Sequence, residues 1–554
     1  MTDLTRRHVL SAAALGAVAV SGAVGPAEAA APVFRHGVAS GDPLPDAVVL
    51  WTRVTPTASA RPGSGQGPRV RVRWQIALDP GFHRPVAQGT TLTGPGRDHT
   101  VHVDVRGLRP ATRYWYRFEA LGRMSRIGRT RTAPARRATT PVRFGVVSCA
   151  NYGWGFFAGY RHLAARGDLD AVLHLGDYIY EYGPDGPLVP GVQPATVRVA
   201  EPRRECLTLA DYRERHGCYR ADQDLQAFHA AHPIIAVWDD HEIANDTWRG
   251  GAENHSDDEG PWARRALAGR RAWLEWLPVR HSDPDDWLRI QRRLRFGWHV
   301  DLWMLDERRF RDEPVQSVAF SYGSVDPAVN DPSRTMLGDD QRHWLVRGLR
   351  GSNATWKVLG NQVPFFPLTL APGVPEAVED ALSPVTDGAG GPAFTAYVDD
   401  WNGYAAERDR LVRGLGEVEN VVILTGDVHE SYACEIPTST GDYRLDGRTA
   451  AVEYICPGIS SPSLKSSASS VMPGSGEVLG AILDANLAAN NPWVKYHEAD
   501  HTGFGVVDFD ARRVHYDFWH LDDGRRRDSG VAWAASWKTR RGTGQVVPAA
   551  GPLH

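Results

Sequence analysis

Between residues 140 and 430 the chain repeatedly enters a short apolar run that stops at a turn residue. The runs read RFGVVS (143–148), AVLHLG (171–176), PIIAVW (233–238), WKVLG (356–360) and VVILTG (421–426). Apolar stretches of this length, bounded by turn residues, are buried parallel strands. Stretches of helical character alternate with them: FFAGYRHLAAR, DLQAFHAAH, DDQRHWLVRGL and GYAAERDRLVRGL. Strand and helix in alternation predict an α/β layer architecture from about residue 141 to 525. Before residue 135 the pattern changes to period two. Val70, Val72, Trp74, Ile76 and Leu78 alternate with mostly polar neighbours, as do Val101, Val103 and Val105; Tyr114, Tyr116 and Phe118 follow the turn Leu108–Thr112. Such short half-buried strands with Gly/Pro turns predict a small β-sandwich over residues 33–135.

That N-terminal sandwich resembles a fibronectin type III module, and Thr132–Arg137 reads as its linker to the larger domain. Residues 249–260 and 366–392 read as insertions near the rim of the sheet. The runs Gly505–Phe509 and Val514–Trp519 read as a hairpin, and residues 526–554 as a C-terminal tail.

Composition narrows the class. Of 554 residues, 42% are hydrophobic and 23% charged, as in a globular protein too long for a single core. The formal net charge of −4 offers no basic excess, so a nucleic-acid scaffold is not an expected partner. The N-terminus carries Arg6 and Arg7, a short apolar stretch from Leu10 to Val20, and the small-residue site Ala27-Glu28-Ala29. That is the grammar of a signal peptide over residues 1–30. The paired arginines favour the twin-arginine export machinery, which secretes folded proteins. The apolar stretch is too short to span a bilayer, and no later one is long enough. Five cysteines are an odd number for a secreted chain. Disulfides Cys206–Cys218 and Cys434–Cys456 would leave Cys149 as a thiol for a metal.

The chemistry sits where the runs end. After them come Ser148-Cys149-Ala150, Gly176-Asp177-Tyr178-Ile179-Tyr180, Trp238-Asp239-Asp240-His241-Glu242, Gly360-Asn361-Gln362 and Gly426-Asp427-Val428-His429. Ligands of open α/β sheets bind beyond the carboxyl ends of the strands, so these groups are expected to converge on one rim as a metal site. The Asp177 carboxylate can bridge two cations, and the Tyr180 phenolate is a hard anion suited to a trivalent ion such as Fe³⁺. Asp427 and His429 can give one ligand to each of two ions. Two adjacent acids, Asp239 and Asp240, are costly to desolvate without a cation or donors, although one of them can cap a helix instead. Paired metals suit phosphate esters, one serving the attacking water and both clamping phosphoryl oxygens.

In this order the motifs resemble those of calcineurin-like metallophosphoesterases. The closer similarity is to PhoD-type alkaline phosphatases and the related phospholipases D of actinomycetes, supported by FRHGVASGDP, SCANYG, HLGDYIYEYG, AVWDDHEIANDTW and LTGDVH. The resemblance implies a metallophosphoesterase α/β sandwich holding iron and one or two calcium ions. It implies an iron site of Cys149, Asp177, Tyr180 and His429. A calcium site of Asp177, Asp240, Asn361 and Asp427 would lie beside it, with the all-oxygen chemistry that calcium favours. His241 falls where related enzymes keep a histidine near the leaving group, as general acid or phosphate contact beside the catalytic Asp177. The arginines of LDERRFRD (Arg308, Arg309, Arg311) could meet phosphate, although a solvated or sheet-edge role is the favoured expectation. Asp400, Trp401 and Tyr404 resemble a family segment near the pocket. The function implied is a secreted alkaline phosphatase or phosphodiesterase acting on a phosphate mono- or diester. Alternatives are a phospholipase D-like enzyme working at a lipid surface and a non-catalytic extracellular binding protein.

Overall fold

The computed structural model describes residues 32–183, 197–280, 285–315, 327–369, 398–416, 418–471 and 474–553. The expected signal segment 1–30 and most of the expected insertion at 366–392 lie outside these residues.

Two large sheets carry the α/β part. At the centre of the first, Val142–Val147, Ala171–His174, Pro233–Ala236 and Val38–Gly41 run parallel to one another. In the second, Val300–Met304, Trp356–Gly360, Val421–Thr425 and Thr449–Ile455 do the same. The sheets pack face to face. Ring contacts cross the interface, Phe144 against Phe296 at 4.9 Å and Tyr454 stacked on Tyr516 at 4.9 Å between centroids. The continuous apolar runs follow from this layering, because each strand is buried on both faces. Leu302, Val358 and Val422 point into the core between the sheets, while their neighbours Trp303, Leu359 and Ile423 point the other way. There they meet Leu345 and Leu349 of helix Gly338–Arg350 and Leu411 and Leu415 of helix Ala405–Leu415. Helices Ala158–Ala165, Leu209–Arg220, Gln223–Ala231 and Trp262–Trp276 contribute Tyr160, Tyr212, Phe228 and Trp273 to the core on the side of the first sheet.

The N-terminal β-sandwich is continuous with this body. Its one layer is a five-stranded sheet built on Val70–Ala77, Pro85–Thr93 and Arg113–Ala120, and its other layer is the end of the first large sheet. Val48, Leu50, Val101 and Val105 from the shared sheet pack on Val72, Ile76, Tyr116 and Phe118. Strand Val38–Gly41 then pairs with Pro233–Ala236, which ends at the Asp239-Asp240 motif.

Two expectations are corrected. Residues 526–554 are not a tail: Val531–Arg540 pairs along Arg513–Leu521 and extends the first sheet, with Val531, Ala535 and Trp537 packed on the core. The hairpin before it, Gly503–Phe509 with Arg513–Leu521, is the expected one. The expected disulfides are also absent, all five cysteines being thiols. Cys434 and Cys456 lie on opposite faces of their sheet, Cys434 in the outer core and Cys456 in the inner one beside Ser148 Oγ at 3.4 Å. Cys206 is enclosed in the core, where burial pushes its thiol up to about 12. Cys218 instead accepts a hydrogen bond from the Glu201 amide.

Candidate metal centre

All five strand-end motifs meet at one rim, three contributed by the first sheet and two by the second. The turns that present them are tight enough to force left-handed backbone on residues with a side chain: Cys149 (φ 57°), Asp177 (φ 53°), Asp427 (φ 70°) and His429 (φ 59°). Each such conformation costs about 1–2 kcal/mol, and such strain collects at functional sites where the surroundings impose it.

Buried carboxylates beneath the rim hold several of these loops in place. Glu242 accepts four backbone N–H groups, from Asp177 (3.0 Å), Tyr178 (2.5 Å), Ile179 (3.3 Å) and Asp239 (2.6 Å). One side chain thus fixes two of the five loops. Glu307 does the same for the Asn361 loop through the amides of Gln362 and Val363 and the Trp401 indole. Glu453 holds Phe365, Phe366 and the Thr425 hydroxyl.

Above this layer the ligand types face one another. Cys149 Sγ, an Asp177 oxygen and a His429 nitrogen lie within 4.8 Å of one another. Tyr180 joins them, its hydroxyl donating to Asp177 Oδ2 at 2.9 Å and lying 3.1 Å from His429 Nε2. His429 Nδ1 donates to the Pro462 carbonyl at 2.8 Å, which turns Nε2 into the centre, the arrangement expected of a metal-binding imidazole. Burial depresses His429 to about 4, leaving it neutral and able to ligate. A second group joins Asp239, Asp240 and Asp427, and a third joins Asp240, Asp177 and His241, each within the same 4.8 Å. Asn361 sits on the adjacent strand end. Its amide nitrogen donates to the Val363 carbonyl and to Thr425 Oγ1, so its Oδ1 is the atom left to face inward.

The electrostatics call for cations. Burial raises Asp177, Asp427 and Asp246 well above the usual carboxylate range, and neighbouring acids push in the same direction. Burial likewise raises the Cys149 thiol and the Tyr180 phenol, with the Asp177 charge adding to both. Among the described residues, Asp177 Oδ1, Asp240 Oδ1, Asn361 Oδ1 and Asp427 Oδ2 are buried oxygens without a hydrogen-bond partner. Four inward oxygens that accept no hydrogen bond, only Asp240 Oδ1 having a guanidinium within ion-pair range at 3.5 Å, are what a hard cation satisfies, and a thiol and phenol beside them suit a more acidic one that displaces their protons. The residues present fit a pair of metal ions.

His241 stands at the edge of the group, its ring stacked on Tyr180 at 4.1 Å between centroids. Its Nδ1 donates to Glu181 Oε2 at 2.8 Å. Burial alone lowers its pKa, but the charges of Asp240, Glu181 and Asp177 outweigh it and hold the imidazole protonated well above its ordinary range.

Comparisons with known proteins show the family to which this fold belongs. The profile of the PhoD-like phosphatase family matches residues 144–518, and that of the PhoD-like phosphatase N-terminal domain matches residues 18–134. The chain belongs to the PhoD-like phosphatase family. It is 37% identical over 415 residues to alkaline phosphatase D of Bacillus subtilis (strain 168), a match over 73% of this chain that spans 65% of the relative's length. A solved structure of PhoD superposes with a TM-score of 0.81 at 30% identity, over 96% of this chain and 94% of that one.

In this PhoD-like site several residues escaped the sequence reading. Arg308, expected at a solvated surface, is completely buried among the acids. It pairs with Asp239 and Asp399, and lies 3.3 Å from Asp427 Oδ1 and 3.5 Å from Asp240 Oδ1. Arg311, expected at the same surface, is buried and holds Asp399 through its carboxylate at 2.6 Å. Asp246 and Asp399 form a further acidic group with Asp240. Ser461 donates to the Tyr180 hydroxyl at 2.7 Å. Asp239 is a partner of Arg308 and caps no helix, because residues 240–246 form turns and bends. Asp400 caps the short helix Trp401–Tyr404, and Trp401 serves Glu307. Only the acid-rich flank of LDERRFRD hinted at a buried arginine.

Proposed function

We propose that this chain is an exported, metal-dependent phosphoric ester hydrolase, an alkaline phosphatase or phosphodiesterase working with iron and calcium. The observation that carries the reading is the set of buried, partnerless oxygens on Asp177, Asp240, Asn361 and Asp427 beside the thiol, phenol and neutral imidazole of Cys149, Tyr180 and His429. Family membership and the similarity to an alkaline phosphatase support the reaction class. The Arg6-Arg7 segment supports export by the twin-arginine route, and no helix among the described residues is long and apolar enough to cross a membrane.

Cys149, Asp177, Tyr180 and His429 would hold the iron; Asp177, Asp240, Asn361 and Asp427 would hold the calcium, so Asp177 belongs to both. When bound, the two cations supply Lewis acidity to the phosphoryl oxygens and to the attacking water. The remaining work falls to the chain. The clamps on Glu242, Glu307 and Glu453 hold the loops so that no reorganisation is needed as charge develops. Arg308 offsets part of the carboxylate charge that would repel a phosphate ester. His241, protonated and oriented by Glu181, can place a proton on the departing oxygen.

The test is turnover of a soluble aryl phosphate monoester, an aryl phosphodiester and phosphatidylcholine vesicles, before and after metal removal and after return of iron and calcium. Hydrolysis of the soluble esters that disappears with the metals and returns with both is the expected result. Turnover confined to vesicles would replace the substrate class with phospholipids. Turnover unaffected by metal removal would reject the metal-dependent mechanism.

A further inference from the structure

A second group of metal-ligating side chains lies away from the rim site. Glu498 ends strand Val494–Glu498, His501 follows in the turn before Gly503–Phe509, and His520 lies opposite Gly503 on the neighbouring strand. The two imidazoles are nearly parallel, 6° apart in plane with centroids at 5.3 Å. Both present Nδ1 to one carboxylate: His501 Nδ1 is 2.9 Å from Glu498 Oε1, and His520 Nδ1 is 3.5 Å from Glu498 Oε2. One ligand atom from each residue lies within 4.8 Å of the other two. Ligands about 2.0–2.1 Å from a tetrahedral zinc ion stand roughly 3.3 Å apart, and the two observed separations bracket that spacing.

The histidine geometry is prepared from behind. His520 is buried, and its Nε2 is engaged by Ser431 Oγ at 3.0 Å, which fixes the ring and leaves Nδ1 as the inward atom. Burial lowers the His520 pKa, so its lone pair is available at neutral pH. His501 is exposed and lines a cavity of about 430 Å³ together with Trp154, Asp500, Thr502 and Arg525, from which water can reach the group.

We propose that Glu498, His501 and His520 bind a divalent cation of the zinc type, with a position open toward the cavity for water or a ligand. The site is independent of the hydrolytic reading. Loaded, it would tie the turn before Gly503–Phe509 to Ser431, two residues beyond His429.

Full-length protein carrying its native metals, equilibrated with Zn²⁺ and separately with Co²⁺, tests this through metal content and the visible Co²⁺ spectrum. One zinc equivalent per chain beyond the iron and calcium is expected, with Co²⁺ giving ligand-field bands of low coordination number. His501→Ala and His520→Ala should each lose that equivalent and those bands while iron and calcium contents stay unchanged. Ser431→Ala should weaken Zn²⁺ binding about tenfold or more. Absence of the extra equivalent in the unsubstituted chain, or its retention in His501→Ala, overturns the proposal. Should His520→Ala fail to fold, the exposed His501→Ala, its fold checked by circular dichroism, decides alone.

Discussion

Two layers of buried acid lie a few ångströms apart in this molecule and differ in one respect. In the lower layer, Glu242, Glu307 and Glu453 are surrounded by backbone amides, an indole and a hydroxyl, so each carboxylate has donors. In the upper layer, Asp177, Asp240 and Asp427 each keep an oxygen without a partner among the described residues. Burial raises the pKa of Glu242 and Glu307 to about 8 and lifts Asp177 and Asp427 well above the carboxylate range, whereas the charges of Arg308 and His241 outweigh burial and hold Asp240 below it, so the direction of the shift does not distinguish the layers. The donor count does. A buried acid whose lone pairs are met by amides holds backbone in place; one whose lone pairs are unmet awaits a cation.

The largest test removes the shared ligand of the upper layer. Asp177→Asn should lower kcat by about 10³-fold or more and release both metals, as loss of a bridging carboxylate demands. Steady-state kinetics with metal analysis of the same sample would check it; retained metal with retained turnover would place Asp177 in the lower class. Next comes the lower layer. Glu242→Gln sets an amide NH₂ against backbone N–H groups and should cost about 2–4 kcal/mol of stability, read from the urea midpoint. Glu181→Gln should lower kcat by roughly 10²-fold with metal content intact, since it removes the anion that orients and charges His241. A pH–rate profile whose limb assigned to the general acid moves downward would mark that role. The smallest effect has the opposite sign. In metal-stripped protein at pH 8, Asp427→Asn should stabilise by about 1 kcal/mol, because it removes a charge whose burial and acidic neighbours oppose ionisation. Destabilisation there would mean that Asp427 is satisfied without a cation.

Much of this arrangement was legible in the sequence, because burial on both faces writes a strand as an uninterrupted apolar run and the run's end is where function sits. Cys149, Asp177, Asp240, Asn361 and Asp427 could be placed that way. The runs did not say that three strands belong to one sheet and two to another, since pairing partners are set by tertiary contacts. The pairing of Arg308 with Asp399 was hidden for a related reason: a buried ion pair between segments 91 residues apart leaves no local pattern. Strand Val531–Arg540 did carry a signal, with Val531, Trp533, Ala535 and Trp537 at period two, but mixed exposure near the end of a sheet makes such a run read as a tail. The Cys434–Cys456 pairing failed because spacing along the chain carries no information about which face of a sheet a thiol occupies.

The most direct test of the central claim is metal analysis, with an absorption spectrum, of the full-length protein as isolated from its native host. The account predicts iron with a tyrosinate or thiolate charge-transfer band together with calcium, both reduced in Asp177→Asn and the band lost in Cys149→Ala or Tyr180→Phe. Fully active protein containing neither iron nor calcium would contradict it.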